Sequence, residues 1–470
     1  MAGKTTLGVI VGNRGFFPNH LCEEGRREIL AILEAQGIGA VCLTPDDTPF
    51  GSVESRSDAM KCAELFRANA GQIDGVLVTL PNFGDERGVA ETLRMANLNV
   101  PVLVHAYPDE ADRMTIKDRR DSFCGKLSVC NNLSQYGIPF SLTERHTMAP
   151  GAPGFAADLQ WFAAVCRVVK GLRGARVGAI GARPAAFNTV RYSEKILQAN
   201  GITVETVDLF EIMGKVNKLD DAAAEVQAKL QEIRAYLDVS RIPAKPLMKM
   251  AKLGAVVDGW IEENGLVATA IQCWTAIEEF FGVVPCTVMS MLSNKILPSA
   301  CEVDITGAIG MYALTLATGV PAALLDWNNN YGDDPDSCVL FHCSNLPTAC
   351  MSCATMAQQD IIGGTVGLEN TYGTVVGSIK PGPFTFARVS TNDMLGSVEA
   401  YVGEGRFTED PLDTFGGAGV ARIDDLQGLL KQMCRRGFEH HVAVSHDTVG
   451  RALAEAMGNY LGWDVYHHGA

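Results

Sequence analysis

Short runs of apolar and β-branched residues alternate with amphipathic segments along the first hundred residues of the chain. Residues 5–12 fit a strand, residues 23–37 fit a helix that ends at a glycine, and residues 40–45 fit a second strand. Such alternation is typical of a parallel sheet, because parallel strands need long crossover connections that cover both faces. The pattern resumes after a Gly- and Pro-rich joint at residues 149–154. It therefore predicts two successive α/β domains.

The sequence changes character from about residue 360, where Thr, Val, Gly and Pro recur at strand-and-turn spacing. This spacing is typical of antiparallel β structure, here in a barrel-like arrangement. We therefore predict the α/β class, with two Rossmann-like parallel-sheet domains followed by a mainly antiparallel β domain. The predicted bounds are 1–150 for the N-terminal domain, 151–350 for the central domain and 351–470 for the C-terminal domain.

Composition and charge exclude several classes of protein. The 470 residues include 39 basic and 54 acidic side chains, and the net charge of −15 argues against a nucleic-acid-binding surface. No apolar run has the length that a membrane-spanning helix needs. The N-terminal segment fits a first strand better than a signal peptide. From these features we expect a soluble, cytoplasmic protein.

The cysteines and glycine-rich loops add little specific chemistry. Fourteen cysteines lie mostly in apolar runs, which favours free thiols over a disulfide framework. The CxxC at 350–353 has no second pair and no nearby histidine pair, which disfavours a zinc ribbon or a redox role. No P-loop or GxGxxG is present. The loop at residues 12–18 still follows a predicted parallel strand, and its Arg14 is either a solvated loop residue or a ligand for a hydroxyl or an anion.

The most informative segment contains Glu302 and Asp304, which stand at the start of an apolar helix. A helix of about 16 residues travels ~24 Å, and the six-residue strand after it returns ~20 Å, so that Asp326 comes back close to Glu302. Taken singly, Glu302 is explained as a carboxylate that interacts favourably with the helix dipole, and Asp326 as a turn-forming residue at the end of a strand. Two carboxylates brought together repel each other unless a cation lies between them, and this favours a metal site.

Histidines supply a third ligand type. His440 and His441 start a predicted strand, and since neighbouring strand residues point to opposite faces, we expect only one of them in a given site. His342 lies on an apolar strand and could line the same cleft. Two carboxylates and one imidazole with open positions suit Mn²⁺ or a similar ion.

Several segments together resemble the L-fucose isomerase/L-arabinose isomerase superfamily, in the same order and essentially from end to end. These segments are GNRGFFP, DSFCGKLSVCNNL (121–133), ARPAAFNTVRYSE (182–194), the Gln272-Cys-Trp stretch, ACEVDITGA (300–308), LLDWNN and the late His-His pair. The resemblance implies a Mn²⁺-dependent aldose–ketose isomerase that works through a cis-enediol. Co²⁺ and Mg²⁺ are the alternative ions, and no organic cofactor is implied.

The resemblance also implies roles for individual residues. Glu302 and Asp326 would be metal ligands that also move the proton, and His441, chosen over His440, would be the third ligand. The substrate-binding residues would be Arg14, Gln272, Trp274 and His342.

The sugar is left open by the sequence. Asp326 stands where the arabinose isomerase pattern has Glu, and the chain is shorter than a typical fucose isomerase. Relatives associated with sulfoquinovose make a 6-substituted hexose a candidate, with Arg14 or Lys126 at the sulfonate. The resemblance implies a homo-oligomer, a hexamer or a tetramer, whose clefts are completed by a neighbour's N-terminal domain. The competing hypotheses are a non-catalytic cytoplasmic sugar-binding protein and a metal-dependent aldolase.

Overall fold

The computed structural model describes residues 4–470, which divide into two compact units. The first unit comprises the described residues up to Lys170 together with Glu455–Gly462, and the second comprises Gly171–Ala454 and Trp463–Ala470. Within the described residues, no helix is both long enough and apolar enough to cross a membrane.

The first unit is built on a parallel sheet. Its strands are β1 (Thr6–Val11), β2 (Gly39–Cys42), β3 (Gly75–Leu80), β4 (Val102–Ala106) and β5 (Ser141–Leu142), and its helices are α1 (His20–Ala35), α2 (Arg56–Ala68), α3 (Glu86–Ala96), α4 (Ser122–Gln135) and α5 (Pro153–Leu172). The strand order is β2-β1-β3-β4-β5, and every pairing is parallel. Strands β3 and β4 are buried at every residue, as a sheet covered on both faces requires.

The second unit begins with another parallel sheet. Its strands are β6 (Arg176–Ile180), β7 (Thr203–Val207), β8 (Ala268–Ile271) and β9 (Ser299–Ala300), and its helices are α6 (Glu194–Ala199), α7 (Leu209–Lys218), α8 (Ala224–Tyr236), α9 (Ala244–Asn264), α10 (Ala276–Phe281), α11 (Cys286–Asn294) and α12 (Ile305–Thr318). The strand order is β7-β6-β8-β9. The predicted pair of parallel-sheet regions is therefore confirmed.

A nine-stranded sheet follows in the same unit. Its strands are β10 (Ala322–Asn330), β11 (Ser337–His342), β12 (Thr355–Gln358), β13 (Tyr372–Ser378), β14 (Gly382–Asn392), β15 (Ser397–Phe407), β16 (Gly417–Arg422), β17 (His441–Ser445) and β18 (Asp464–His467), with helices α13 (Asp360–Val366), α14 (Leu426–Arg436) and α15 (Gly450–Ala454). The order is β12-β13-β16-β11-β10-β17-β14-β15-β18.

Six strands of this sheet close into a ring. Strand β15 pairs with β14 on one side and with β16 on the other, so that β16, β11, β10, β17, β14 and β15 form a closed antiparallel barrel. Closure leaves no unpaired edge among these six strands. The associated core is mainly aliphatic and includes a few buried aromatic residues, of which Phe384 stacks on Phe407 with ring centroids 4.3 Å apart. The predicted barrel-like β region is confirmed.

The large sheet begins earlier in the chain than the change in composition indicated. Strands β10 and β11 belong to it, although they precede residue 350. Their place is decided by antiparallel pairing with β17 and β16, which come from more than seventy residues later. The division into domains 1–150, 151–350 and 351–470 stays a prediction. Helix α12 packs against β10, β14 and β17, and this packing positions the site described next.

Candidate functional site

Two acidic residues lie in the turn between β9 and α12. Glu302 and Val303 both have positive φ, of 54° and 55°, which is uncommon for residues with a Cβ and costs on the order of 1–3 kcal/mol each. Asp304 ends the turn as the N-cap of α12, because its Oδ1 accepts a hydrogen bond from the Gly307 backbone N–H at 2.8 Å. The turn thus fixes two carboxylates at the carboxyl end of a parallel strand.

Neighbouring barrel strands supply the next two groups. Asp326 on β10 pairs directly with His441, the first residue of β17. His441 Nε2 lies 3.4 Å from Asp326 Oδ1 and 3.7 Å from Glu302 Oε2. The chain therefore returns Asp326 to the neighbourhood of Glu302, as expected, and His441 lies between the two carboxylates.

These carboxylates are incompletely hydrogen-bonded. Glu302 Oε2 and Asp326 Oδ1 are both buried, and neither has a hydrogen-bond partner among the residues that the structure describes. Burial raises the pKa of Glu302 to about 7 and that of Asp326 to about 6, since the charged form loses its hydration. Buried acceptors of this kind are rare, and they mark a place where another polar or charged group fits.

His441 is held in a fixed orientation. Its Nδ1 lies 2.8 Å from Asp304 Oδ2, which leaves Nε2 directed at Glu302 and Asp326. Burial alone would lower the pKa of His441, but the hydrogen bond to Asp304 and the negative charges of Asp304, Glu302 and Asp326 together outweigh it and raise the pKa to about 9. A carboxylate behind the imidazole is the usual way in which a protein orients a metal-binding histidine.

A buried arginine holds Asp304 in turn. Arg388 on β14 is fully buried and donates to both oxygens of Asp304, at 2.5 and 3.0 Å, and from Nε to Glu439 Oε2 at 3.0 Å. Burial would raise the pKa of Asp304, but the Arg388 guanidinium and His441 hold it well below its usual range. The fork geometry satisfies both carboxylate oxygens.

Three members of this arrangement were not predicted from the sequence to have a role in the site: Asp304, Arg388 and Glu439. The signal that was available is a lone arginine in the strand segment FTFARVS, because an isolated charge in an apolar strand needs a buried partner.

The two other histidines near the site differ in exposure. His342, at the end of β11, is buried, and one ring nitrogen lies within 4.8 Å of ligand atoms of Glu302 and His441. Burial lowers its pKa to about 3, so its imidazole is neutral. His440 is partly exposed, yet its Nε2 lies 3.6 Å from Asp326 Oδ1. The expectation that only one of the adjacent histidines reaches the site is wrong for Asp326, because β17 begins at His441 and His440 precedes the strand alternation.

Predicted sugar-contacting residues of the second unit lie just after β8. Gln272 Oε1 accepts a hydrogen bond from the Ala182 backbone N–H at 2.9 Å. The Trp274 ring lies edge-on to Phe187, with centroids 5.3 Å apart. The Trp274 indole N–H is buried and lacks an acceptor within the described part of the chain. It is therefore a donor available to a ligand.

The predicted basic residues of the first unit have different surroundings. Arg14 follows β1, forms an ion pair with Glu86 and lies over the Phe83 ring at 4.5 Å, with about a quarter of its side chain exposed. Lys126 on α4 is fully buried and donates to Thr143 Oγ1 at 2.7 Å and to the His146 carbonyl at 2.9 Å. The suggestion that Lys126 serves a sulfonate is therefore wrong, since its ammonium is enclosed by protein acceptors.

Family models match both ends of the chain. The model described as fucose/sulfoquinovose isomerase, N-terminal domain, matches residues 8–173. The model described as L-fucose isomerase, C-terminal domain, matches residues 340–468, a range that includes His342 and His441. Together the two matches cover more than half of the chain.

Sulfoquinovose isomerases are among the proteins similar to this chain. The protein from Priestia aryabhattai is 24% identical over 394 residues, which are 83% of this chain and 84% of that protein. The protein from Alkalicoccus urumqiensis is 24% identical over 366 residues, 76% of this chain and 78% of the relative. The match to the Clostridium sp. (strain MSTE9) protein is 28% identical over 208 residues, and there the chain spans only 45% of the relative's length.

Proposed function

The chain belongs to the fucose isomerase superfamily, and from this premise we propose that it is a Mn²⁺-dependent aldose–ketose isomerase that acts on a free aldose through a cis-enediol. The observation that carries the proposal is the pair of buried, unpartnered carboxylate oxygens of Glu302 and Asp326, which both face Nε2 of His441. Two carboxylates at such a distance from one imidazole favour a cation between them.

The residues present fit a divalent ion. Glu302, Asp326 and His441 would hold it, and His342 is close enough to serve as a further ligand. Two oxygen donors with imidazole nitrogen suit Mn²⁺, with Co²⁺ and Mg²⁺ as alternatives. When bound, such an ion would polarise the sugar carbonyl and stabilise the negative charge of the enediolate.

The protein's own groups would carry out the proton transfer. Glu302 or Asp326 would take the proton from C2 of the aldose and return it at C1. A carboxylate held beside C1 and C2 can both accept and release this proton. Asp304, fixed by Arg388, would keep His441 in the tautomer that presents Nε2 to the site. No organic cofactor is needed for this chemistry.

Other residues would bind the sugar. The indole N–H of Trp274, which has no acceptor among the described residues, supports a hydrogen bond to a sugar hydroxyl. Gln272 lies two residues earlier in the chain, and its side chain accepts a hydrogen bond from the Ala182 backbone N–H. Arg14 remains the candidate for an anionic substituent, with Glu86 as its present partner. The names of the relatives support a 6-sulfonated hexose, sulfoquinovose, as the substrate to be tried first.

Assembly and location are carried forward as proposals. We propose a homo-oligomer, a hexamer or a tetramer, with active sites shared between subunits. A cytoplasmic location is supported by the fourteen cysteines, all of which are free thiols in the structure. The alternative of a non-catalytic sugar-binding protein is not favoured, because sugar binding alone requires no pair of buried carboxylates with raised pKa values.

A panel of aldoses tests the proposed function. Neutral sugars and 6-sulfonated hexoses are incubated with Mn²⁺-loaded protein in D₂O, and the products are read by proton NMR. We expect one sugar class to give a ketose that carries deuterium at C1, because a carboxylate-bound proton exchanges with water. No ketose from any sugar would contradict the isomerase. A ketose with fully unlabelled C1 at early conversion would contradict the enediol route and favour a direct hydride shift.

A further inference from the structure

Glu302 presents its two carboxylate oxygens to different neighbours. Oε2 faces His441 Nε2, as described above. Oε1 instead accepts a hydrogen bond from the Cys273 thiol at 3.3 Å. Cys273 is buried at the carboxyl end of β8, two residues beyond the last strand residue, so that the thiol comes from the central parallel sheet.

More thiols surround this contact. Cys301 precedes Glu302 in the chain, and the neighbouring thiols of Cys273 and Cys286 contribute to a pKa well above its usual value. All of these cysteines are buried. None is paired in a disulfide, and the proposed isomerisation uses none of them. The cysteines of the CxxC motif at residues 350–353, in contrast, belong to no group of potential metal ligands among the described residues.

The spacing of these atoms fits a metal site. The Sγ atoms of Cys273 and Cys301 and a carboxylate oxygen of Glu302 all lie within 4.8 Å of one another. In tetrahedral zinc sites the Zn–S bond is about 2.3 Å and the Zn–O bond about 2.0 Å, so neighbouring sulfur and oxygen ligands are roughly 3.5 Å apart. The 3.3 Å between Cys273 Sγ and Glu302 Oε1 is close to this value.

We propose that Cys273, Cys301 and Oε1 of Glu302 form a second metal site that takes a thiophilic divalent ion, Zn²⁺ or Cd²⁺. Each coordinating thiol gives up its proton to solvent as its sulfur bonds to the ion. Two sulfurs and one oxygen select soft ions, whereas the oxygen and nitrogen donors on the other side of Glu302 select harder ones.

Occupation of this site inhibits the isomerase, a consequence that rests on the proposed function. The two sites share Glu302: when its Oε1 is bonded to a thiophilic ion and its Oε2 to Mn²⁺, neither oxygen of this carboxylate is left to take and return a proton. The thiol site is therefore inhibitory, and it makes the enzyme sensitive to zinc and cadmium while Mn²⁺ activates it.

Cadmium titration tests the site directly. The full-length protein, the double variant C273A/C301A and a control C62A/C166A are titrated with Cd²⁺. The control removes two thiols that are equally buried but lie in the first unit. Binding is followed by the ultraviolet sulfur-to-cadmium charge-transfer band and by ¹¹³Cd NMR. Far-ultraviolet circular dichroism establishes that each variant is folded.

We expect one equivalent of Cd²⁺ to give the charge-transfer band and a ¹¹³Cd shift typical of mixed sulfur and oxygen ligation in the wild type and the control. Both signals should be lost in C273A/C301A. Inhibition of each Mn²⁺-loaded protein, expressed relative to its own activity without Cd²⁺, should require at least ten times more Cd²⁺ in the double variant. An unchanged band, or equal inhibition of the double variant, would overturn the proposal. A band that appears in protein without isomerase activity would support the thiol site and count against the proposed function alone.

Discussion

Two clusters of buried ionisable groups lie side by side in the second unit, and they differ in how completely their polar atoms are hydrogen-bonded. The closed cluster consists of Asp304, Arg388 and Glu439, in which both Asp304 oxygens accept from Arg388. The open cluster consists of Glu302, Asp326 and His441, in which two carboxylate oxygens have no hydrogen-bond partner among the described residues.

The difference distinguishes a structural role for the closed cluster from the functional role that we propose for the open one. A closed set of charges gains its stability from mutual pairing, and removal of one member leaves the others buried and unpaired. An open set lowers stability as long as it stays unfilled, because its groups lose hydration without compensation. A fold keeps such a set where it binds something. Asp304 connects the two clusters, since it accepts from both Arg388 and His441.

Removal of a carboxylate from the open cluster should have the largest effect on activity. For Glu302→Gln and Asp326→Asn we expect a fall of roughly 10²–10⁴-fold in kcat, the range for loss of a general base. The Tm of the metal-free variants should not fall, because each substitution removes an unpaired buried charge. Steady-state kinetics and scanning calorimetry measure the two effects.

Glu278 provides the matched control for this prediction. It is also fully buried, neither of its oxygens has a hydrogen-bond partner in the part of the chain that the structure describes, and burial raises its pKa to about 7. Among the described residues it belongs to no group that could hold a metal. Glu278→Gln should therefore keep near-normal kcat. Near-normal activity of Glu302→Gln would show that the open cluster is not the active site.

Removal of the arginine from the closed cluster should have the largest effect on stability. Arg388→Met leaves Asp304 and Glu439 buried without their partner, which costs about 3–5 kcal/mol of unfolding free energy. Arg388→Lys should lower the unfolding free energy by less, because lysine keeps the positive charge but cannot donate to both Asp304 oxygens in the bidentate geometry of a guanidinium. Urea denaturation of the metal-free protein measures both.

Arg436→Met is the control: Arg436 also pairs with two carboxylates but is partly exposed, so its loss should cost about 1 kcal/mol or less. Equal costs at the two positions would contradict the distinction.

Substitution of Asp304, the residue that connects the two clusters, should change the affinity for metal more than kcat. Asp304→Asn weakens the hold on His441 Nδ1, and such changes behind a metal-binding histidine typically reduce affinity by about 10–100-fold. Titration of Mn²⁺ followed by electron paramagnetic resonance measures the affinity, and kcat at saturating Mn²⁺ should recover in large part. Asp425→Asn is the matched control, since Asp425 is likewise a helix N-cap that bonds the glycine three residues on. An unchanged affinity in Asp304→Asn would remove Asp304 from this role.

The pH dependence of stability should show the smallest difference between the clusters. The pKa values of Glu302 and Asp326 are raised by burial from 4.5 and 3.8 to about 7 and about 6. Their contribution to stability is therefore complete below the unfolded pKa values and is lost as the pH rises through the folded ones. The pKa of Asp304 is lowered, so its contribution is lost only in acid.

Raising the pH from 5 to 8 should consequently destabilise the metal-free wild type relative to metal-free Glu302→Gln, which has lost one of these two carboxyl groups. The Tm of the wild type minus that of the variant should therefore fall by a few degrees over this range. Differential scanning fluorimetry across this range measures it. A Tm difference between the two proteins that stays constant from pH 5 to pH 8 would contradict the raised pKa of Glu302.

The open cluster was largely predictable from the sequence, and the closed one was not. The lengths of α12 and β10 fix the return of Asp326 towards Glu302, because rise per residue is nearly constant in each kind of element. Arg388 and Glu439 lie 84 residues or more from Asp304 along the chain, and no local pattern pairs them. Strand register alone brings β14 and β17 beside α12.

Local signals also failed at identifiable points. The helix α7 was not predicted, although Asp208 caps it directly after β7 by accepting from the Phe210 N–H at 2.6 Å. The approach of His440 to Asp326 was excluded on strand alternation, which does not apply to a residue outside the strand. The burial of Lys126 could not be foreseen, because its acceptors, Thr143 and the His146 carbonyl, lie beyond the helix that carries it.

The most direct test of the open cluster is anomalous diffraction from crystals of the Mn²⁺-loaded protein, collected on both sides of the manganese absorption edge. We expect one strong anomalous peak bonded by Glu302, Asp326 and His441, with Asp304 still hydrogen-bonded to Nδ1 of that histidine. A manganese peak elsewhere in crystals of active protein, with these three side chains unliganded, would contradict the assignment.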